Sequence, residues 1–194
     1  DGIRDLVRAR GLGDVYKRQA QNPLGMILDL RNNPGGALDS SVDIADQFLD
    51  EGIILTEEFG TGRERVFRSS GSGLAQDIPL VVLVNEGSAS ASEVLAGAIR
   101  DRQRGTIVGV TTFGKGTVQT WHGLSNGGGV RITTARWLTP DGNWVNESGL
   151  TPDVVVEASE NPPAEPSEDA QLQAAIEELR QLAGSSATET SEGD

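Results

Sequence analysis

The chain has 194 residues, about one domain's length and enough to bury a substantial core. It has no cysteine, which excludes a disulfide framework, a thiol nucleophile and a thiolate metal site; its one histidine excludes a multi-histidine metal centre within one chain. A net charge of −13 argues against nucleic-acid binding, and no apolar run approaches the roughly 20 residues of a membrane-spanning helix.

The acid is unevenly placed. Residues 157–194 carry ten Asp or Glu against one Arg, whereas residues 20–156 carry sixteen against ten basic residues. Residues 1–19 differ again, with five basic residues and three acids, and the string Arg10–Gln19 resembles linker-derived peptides found at the ends of translated gene fragments. This leader is read as non-native and set apart from the fold. The core is then expected over 20–160, a linker with a short docking helix over 161–183, and a disordered acidic tail over 184–194.

Gly25–Leu30 is an apolar run ended by the breaker Arg31-Asn-Asn-Pro-Gly-Gly36, as a buried strand is. From Ala37 to Leu49, the residues Leu38, Val42, Ile44, Ala45 and Phe48 share one helical stripe. Ile53–Thr56 predicts a second strand, residues 59–78 a polar hairpin around Arg65–Phe67, and Pro79–Asn85 the strongest buried strand. A turn of small residues, Glu86–Ser90, leads into a helix ending near Arg100, and Thr106–Val110 reads as the next strand. This alternation predicts an α/β domain with βαβ units. Beyond Thr117 the helical pattern stops. Strands are expected at Val118–Leu124, Gly129–Leu138 and Asp153–Glu157, with a turn at Pro140-Asp-Gly142. Leu172, Ala175, Ile176, Leu179 and Leu182 then predict a short C-terminal helix docked on the domain.

Chemistry concentrates in two places. Ser90 stands where a buried strand turns into a helix, a position that exposes a nucleophile beside unpartnered backbone N–H groups. The same Ser90-x-x-Glu93 spacing is also a capping box, which by itself favours a helix-capping role for Ser90, and the two roles are not exclusive. A serine nucleophile needs a base. The candidates are His122, on an expected strand, and Lys115, the only lysine outside the leader in a chain with fourteen arginines. Unlike arginine, lysine serves as a base when it is neutral, a form that burial away from carboxylates favours. Thr111–Trp121 contains no acid, and Phe113 with the strand apolar residues is expected to cover the amine.

Three segments, Asp29-Leu-Arg-Asn-Asn-Pro-Gly-Gly36, Gly87-Ser-Ala-Ser-Ala-Ser-Glu93 and Thr112-Phe-Gly-Lys-Gly-Thr-Val-Gln119, closely resemble those of the carboxy-terminal processing proteases, peptidase family S41. Thr139-Pro-Asp-Gly142 and Gly149-Leu-Thr-Pro-Asp153 resemble that family's later turns. The likeness covers residues 24–157 in order and spacing. It implies a crotonase/ClpP-like α/β core followed by a β-rich region and a short C-terminal helix. It also implies a Ser-Lys dyad, Ser90 and Lys115, supported by Gln119, that cleaves polypeptides near accessible C-termini through an acyl-enzyme. Gly36 and Ala91 are implied as backbone oxyanion donors, with Gly35 left open as an alternative to Gly36. Glu93 and Asp101 take supporting places, Asp101 without touching Lys115. A strand that begins at or before Lys115 would put Gln119 on the same face four residues on.

The resemblance implies no metal and no cofactor, an exported, envelope-facing location, and a PDZ domain upstream that recruits substrate tails. It leaves open a homo-oligomer or an adaptor. Two other readings stand beside it: a non-catalytic scaffolding relative or inactive fragment on the same fold, and an acyl-handling enzyme of the wider crotonase-like class.

Overall fold

Apolar runs too short for helices and bounded by turns become strands. The computed structural model describes residues 23–159 and 163–189, so residues 1–22, including the leader 1–19, and residues 160–162 and 190–194 lie outside it. The elements run β1 (Met26–Asp29), α1 (Leu38–Phe48), β2 (Gly52–Phe59), β3 (Glu64–Ser69), β4 (Leu80–Val84), α2 (Ala91–Asp101), β5 (Thr106–Gly109), β6 (Thr117–Gly123), β7 (Gly129–Leu138), β8 (Val154–Val155) and α3 (Ala170–Glu189). A 3-10 turn at Pro166–Glu168 precedes α3. The helix continues to Glu189, past residue 184, where the sequence places the start of a disordered tail.

The strands form two four-stranded sheets. One is parallel, in the order β1-β4-β5-β8, and the other antiparallel, in the order β3-β2-β7-β6. β4-α2-β5 is the expected βαβ unit, with both strands adjacent and parallel. Between β1 and β4 the chain makes α1 and then leaves the parallel sheet for the β2-β3 hairpin. The late strands β6 and β7 join that hairpin, through β7 beside β2, while β8 returns to the parallel sheet.

Every residue of β4 is buried, because helices cover both faces of its sheet. Leu80, Val82 and Val84 pack with Phe48 of α1 and with Leu95 and Ile99 of α2. Val81 and Leu83 face the other way and pack with Val108 of β5 and with Leu172 and Ala175 of α3. Burying a side chain of this size contributes about 1.5–3 kcal/mol. The C-terminal helix is thus half of the sheet's covering. Arg31 fastens its start: the guanidinium pairs bidentately with Asp29 at the end of β1, and Nη1 donates to Asp169 (2.9 Å) and Gln171 (3.2 Å) at the head of α3.

The stripe of α1 is narrower than its sequence suggests. Ser41, Ala45 and Phe48 are buried, but Ile44 is 37% exposed. It lies one residue, about 100° of helical turn, from Ala45, and so points away from the sheet.

Leu83→Ala empties a fully buried position between the parallel sheet and α3. The expected loss is about 2–5 kcal/mol of unfolding free energy, read from urea denaturation. A second expectation concerns Glu57 on β2, which is buried and has the mostly exposed Arg65 at 4.0 Å as its only ion pair among the described residues. Burial pushes this carboxyl above its usual value and Arg65 offsets part of the effect. A raised folded-state value means that the stabilising contribution is complete below the unfolded-state value and is lost as pH rises through the folded-state value. Glu57→Gln should therefore gain stability relative to the parent as pH rises from acid towards neutral, measured by denaturation across a pH series.

Candidate active site

Two loops at the C-terminal ends of parallel strands are zipped together before any catalytic group is placed. After β1, Asn32 N donates to Asn85 Oδ1 (2.8 Å) and Asn85 Nδ2 donates back to Asn32 Oδ1 (3.1 Å). Ala89 N donates to Asn33 O (3.0 Å). Ser88 Oγ donates to Leu30 O (2.8 Å) and accepts from Asn85 N (3.0 Å), so this fully buried serine is committed to the turn. Gly35 makes the tightest approach: at φ +97° it lies so close that a Cβ would sit 2.6 Å from Ala89 O and 2.8 Å from Ala91 N. Any side chain at Gly35 would push the two loops apart.

Ser90 follows with φ 56° and ψ −117°, a conformation that non-glycine residues rarely hold. Such strain costs on the order of 1–3 kcal/mol and persists only where neighbours enforce it. Here the enforcing neighbour is Glu93. Its carboxylate is fully buried and receives four donors: Ser90 N (2.8 Å), Lys115 N (2.9 Å), Gly114 N (2.7 Å) and Thr112 Oγ1 (2.5 Å). An ionised carboxylate offers about four lone-pair sites, and all of them are used. The capping-box spacing foresaw the bond to Ser90. The other three donors come from 19 to 22 residues further along the chain.

The segment Thr112–Gly116 has no regular structure, yet each of its five N–H groups has an acceptor: Leu150 O, Ser88 O, Glu93 twice, and Asn146 Oδ1. Trp137 Nε1 donates to Lys115 O (3.0 Å) and Trp144 Nε1 to Gly116 O (2.8 Å). The backbone of Lys115 is therefore held from both sides. Its side chain is half-buried and makes no ion pair among the described residues.

These two elements face a cleft of about 420 Å³. Gly36, Ser90, Ala91, Lys115 and Gln119 all line it, together with Trp121, Arg131 and Trp137. Of the three serines in the motif, Ser88 and Ser92 are buried and only Ser90 opens on the cleft. His122 does not line it; strand alternation turns it to the opposite face from Trp121. Asp101 is also elsewhere, at the end of α2, where it accepts from Arg100 Nε (3.0 Å) and from Asp141 N (3.2 Å) in the Pro140–Gly142 turn. Gly35 N donates to Asn33 Oδ1 (3.0 Å), whereas Gly36 N has no hydrogen-bond partner among the described residues.

The chain matches Peptidase family S41 over residues 9–156. The chain belongs to this family. It is 47% identical over 143 residues to the carboxyl-terminal-processing protease of Synechocystis sp., covering 74% of this chain and 33% of that protein. To the chloroplastic C-terminal processing peptidase of Tetradesmus obliquus it is 46% identical, over 69% of this chain and 29% of that one. The chain thus spans about a third of the length of these curated relatives. Among solved structures, the photosystem II D1 C-terminal processing protease superposes with a TM-score of 0.72 at 39% identity, over 83% of this chain and 41% of that chain.

Two local expectations for this S41 chain are corrected. Phe113 is 64% exposed and does not cover the Lys115 amine; the residues around that part of the cleft come from β6 and β7. The strand holding Gln119 begins at Thr117, after Lys115, and its register shifts between Val118 and Gln119. The same-face argument therefore does not apply, and Gln119 Nε2 donates to Thr133 Oγ1 (3.5 Å). Glu93, distant in the chain, meets Lys115 at its backbone N–H, and the amine forms no ion pair among the described residues. Trp121, Arg131 and Trp137 were not foreseen in the site. Trp121 had a readable signal, two residues after Gln119 on one strand and so on the same face.

Glu93→Gln replaces one acceptor oxygen with an NH2 that faces backbone donors. At least one buried N–H then loses its partner, and a drop of about 1–3 kcal/mol in unfolding free energy is expected by thermal or urea melting.

Proposed function

We propose that this chain is the catalytic core of a serine endopeptidase that cleaves polypeptides near their C-termini, with Ser90 as nucleophile and Lys115 as general base. The observation that carries this reading is the shared cleft, which holds the one cleft-facing serine of its motif and the only lysine outside the leader. The names of the relatives, processing proteases acting on carboxyl termini, support the substrate class.

In this mechanism neutral Lys115 Nζ takes the proton from Ser90 Oγ as that oxygen bonds to the scissile carbonyl carbon. The carbonyl oxygen becomes an oxyanion and is held by the N–H groups of Gly36 and Ala91. Gly36 is preferred to Gly35 because the Gly35 N–H is already engaged by Asn33. Ala91 is the first residue of α2, where an N–H has no intrahelical acceptor. A pair of such donors, fixed in advance, is worth several kcal/mol; removing one costs about 2.7–4 kcal/mol in comparable sites. The Lys115 ammonium then gives its proton to the departing amine as the C–N bond breaks; water, deprotonated in turn by Lys115, attacks the acyl carbon, and the same proton passes from Lys115 to Ser90 Oγ as the acyl C–O bond breaks, releasing the acid and the free serine. Gln119 orients groups at the mouth of the same cleft. Glu93 acts through the backbone, fixing the Ser90 turn and the Lys115 segment in one frame. Asp101 supports the end of the nucleophile's helix. An exported or envelope-facing location, and recruitment of tails by a PDZ domain, belong to the same proposal.

A small electrophilic probe for activated serines tests the dyad without needing substrate recruitment. Ser90→Ala, Lys115→Ala and Lys115→Arg should each abolish labelling, the last because a guanidinium keeps the charge yet cannot accept the proton. Ser92→Ala should retain it. Labelling that survives in folded Ser90→Ala, with circular dichroism as the control, overturns the assignment.

A further inference from the structure

Thirteen of the described residues line the cleft; none is acidic, and the two basic ones are Lys115 and Arg131, of which the arginine is always charged. In a chain with a net charge of −13 this is a local reversal of sign, which concentrates anionic groups at the mouth. The peptidase reading gives Lys115 a task. It gives Arg131 none.

Arg131 also lacks a structural task. Among the described residues its guanidinium has no ion pair, hydrogen bond or aromatic ring. Arg136, five residues on in the same strand, shows the contrast: it donates to Glu58 (2.5 Å) and lies 5.4 Å over the Trp144 ring. Arg131 is directly opposite Trp121 across the β6-β7 ladder, so the two side chains stand on one face. Trp121 is 63% exposed, an uncommon degree for an indole, but it is not loose. Its ring lies over the backbone of Gly129, where an added Cβ would sit 2.0 Å from a ring carbon. The missing side chain at Gly129 is what leaves the indole its place on this face.

We propose that Arg131 and Trp121 form a tail-reading subsite of the cleft, in which the Arg131 guanidinium receives a carboxylate of the bound peptide and the Trp121 ring packs on the apolar residue next to it. The proposal rests on the peptidase reading and specifies the substrate it takes. A planar fork of five donors matches a carboxylate bidentately, and an indole face suits an adjoining apolar side chain. The carboxylate has two sources, a free C-terminus or an acidic side chain within the tail.

The test uses the chain carrying Ser90→Ala, so that peptides bind without turnover, and reads affinity by calorimetry. Three versions of one short apolar peptide are compared: the free acid, the C-terminal amide, and the amide with one internal Asp. The free acid should bind about tenfold or more tighter than the plain amide, and adding Arg131→Gln should bring that ratio close to one. Arg131-dependent binding confined to the free acid assigns the carboxylate to the C-terminus. Recovery by the Asp-containing amide assigns it to a side chain. Equal affinity for all three peptides, a preference for a carboxylate that persists in Arg131→Gln, or no saturable binding of any peptide overturns the proposal. The serine probe carries no carboxylate, so the two readings fail separately. Labelling of Ser90 with carboxylate-blind binding removes only the subsite, and absent labelling with Arg131-dependent binding removes only the dyad.

Discussion

The buried carboxylate of Glu93 ties together two segments that are otherwise joined directly by one backbone hydrogen bond, from Phe113 N to Ser88 O. One is the strand-to-helix turn that carries Ser90, and the other is the irregular run that carries Lys115. Each alone is unfavourable. The turn holds a serine at positive φ, and the run has five N–H groups outside any helix or sheet. Burying a carboxylate is costly as well unless its oxygens are fully used. The three costs offset one another because the donors that the run must satisfy and the strain that the turn must hold meet at the same two oxygens. Among the described residues, Glu93 is consequently the one side chain that hydrogen-bonds both the Ser90 and the Lys115 backbones.

That arrangement stands on the parallel sheet. The loops after β1 and β4 can exchange asparagine hydrogen bonds because β1 and β4 are neighbours and end together. β4 in turn is buried only because α3 closes the face that α1 and α2 leave open. A helix distant in sequence from the cleft is therefore part of what holds the cleft, and Arg31, inside the same motif as Gly35 and Gly36, fastens it. The antiparallel sheet supplies the other wall. β6 and β7 bring Gln119, Trp121, Arg131 and Trp137 to the same cleft as Ser90.

Much of this was legible from local pattern. Leu80–Val84 has no polar residue and is buried on both sides; Leu172, Ala175 and Leu179 repeat at helical spacing and pack on the sheet. Ile44 misled because it adjoins a true stripe residue and is apolar, and apolar character does not fix direction. Phe113 misled for a related reason: it neighbours Lys115 in the chain, but the backbone turn at Gly114, with φ +86°, sends the two side chains apart. The register shift before Gln119 broke a period-2 argument that needs an unbroken strand.

What the sequence by itself determined is the order of the strands and helices, the three motifs, and the short set of residues able to carry acyl chemistry. These follow from spacing and side-chain chemistry, which need no knowledge of distant neighbours. Only the tertiary structure decided which of those residues share a cleft, that Ser88 and Ser92 are buried while Ser90 is open, and that Gly35 makes the close approach while the N–H of Gly36 stays free. It also brought in Trp121 and Arg131. The physical reason is that burial, charge environment and hydrogen-bond partners are set by contacts between segments tens of residues apart, and the pairing of sheets determines which segments those are.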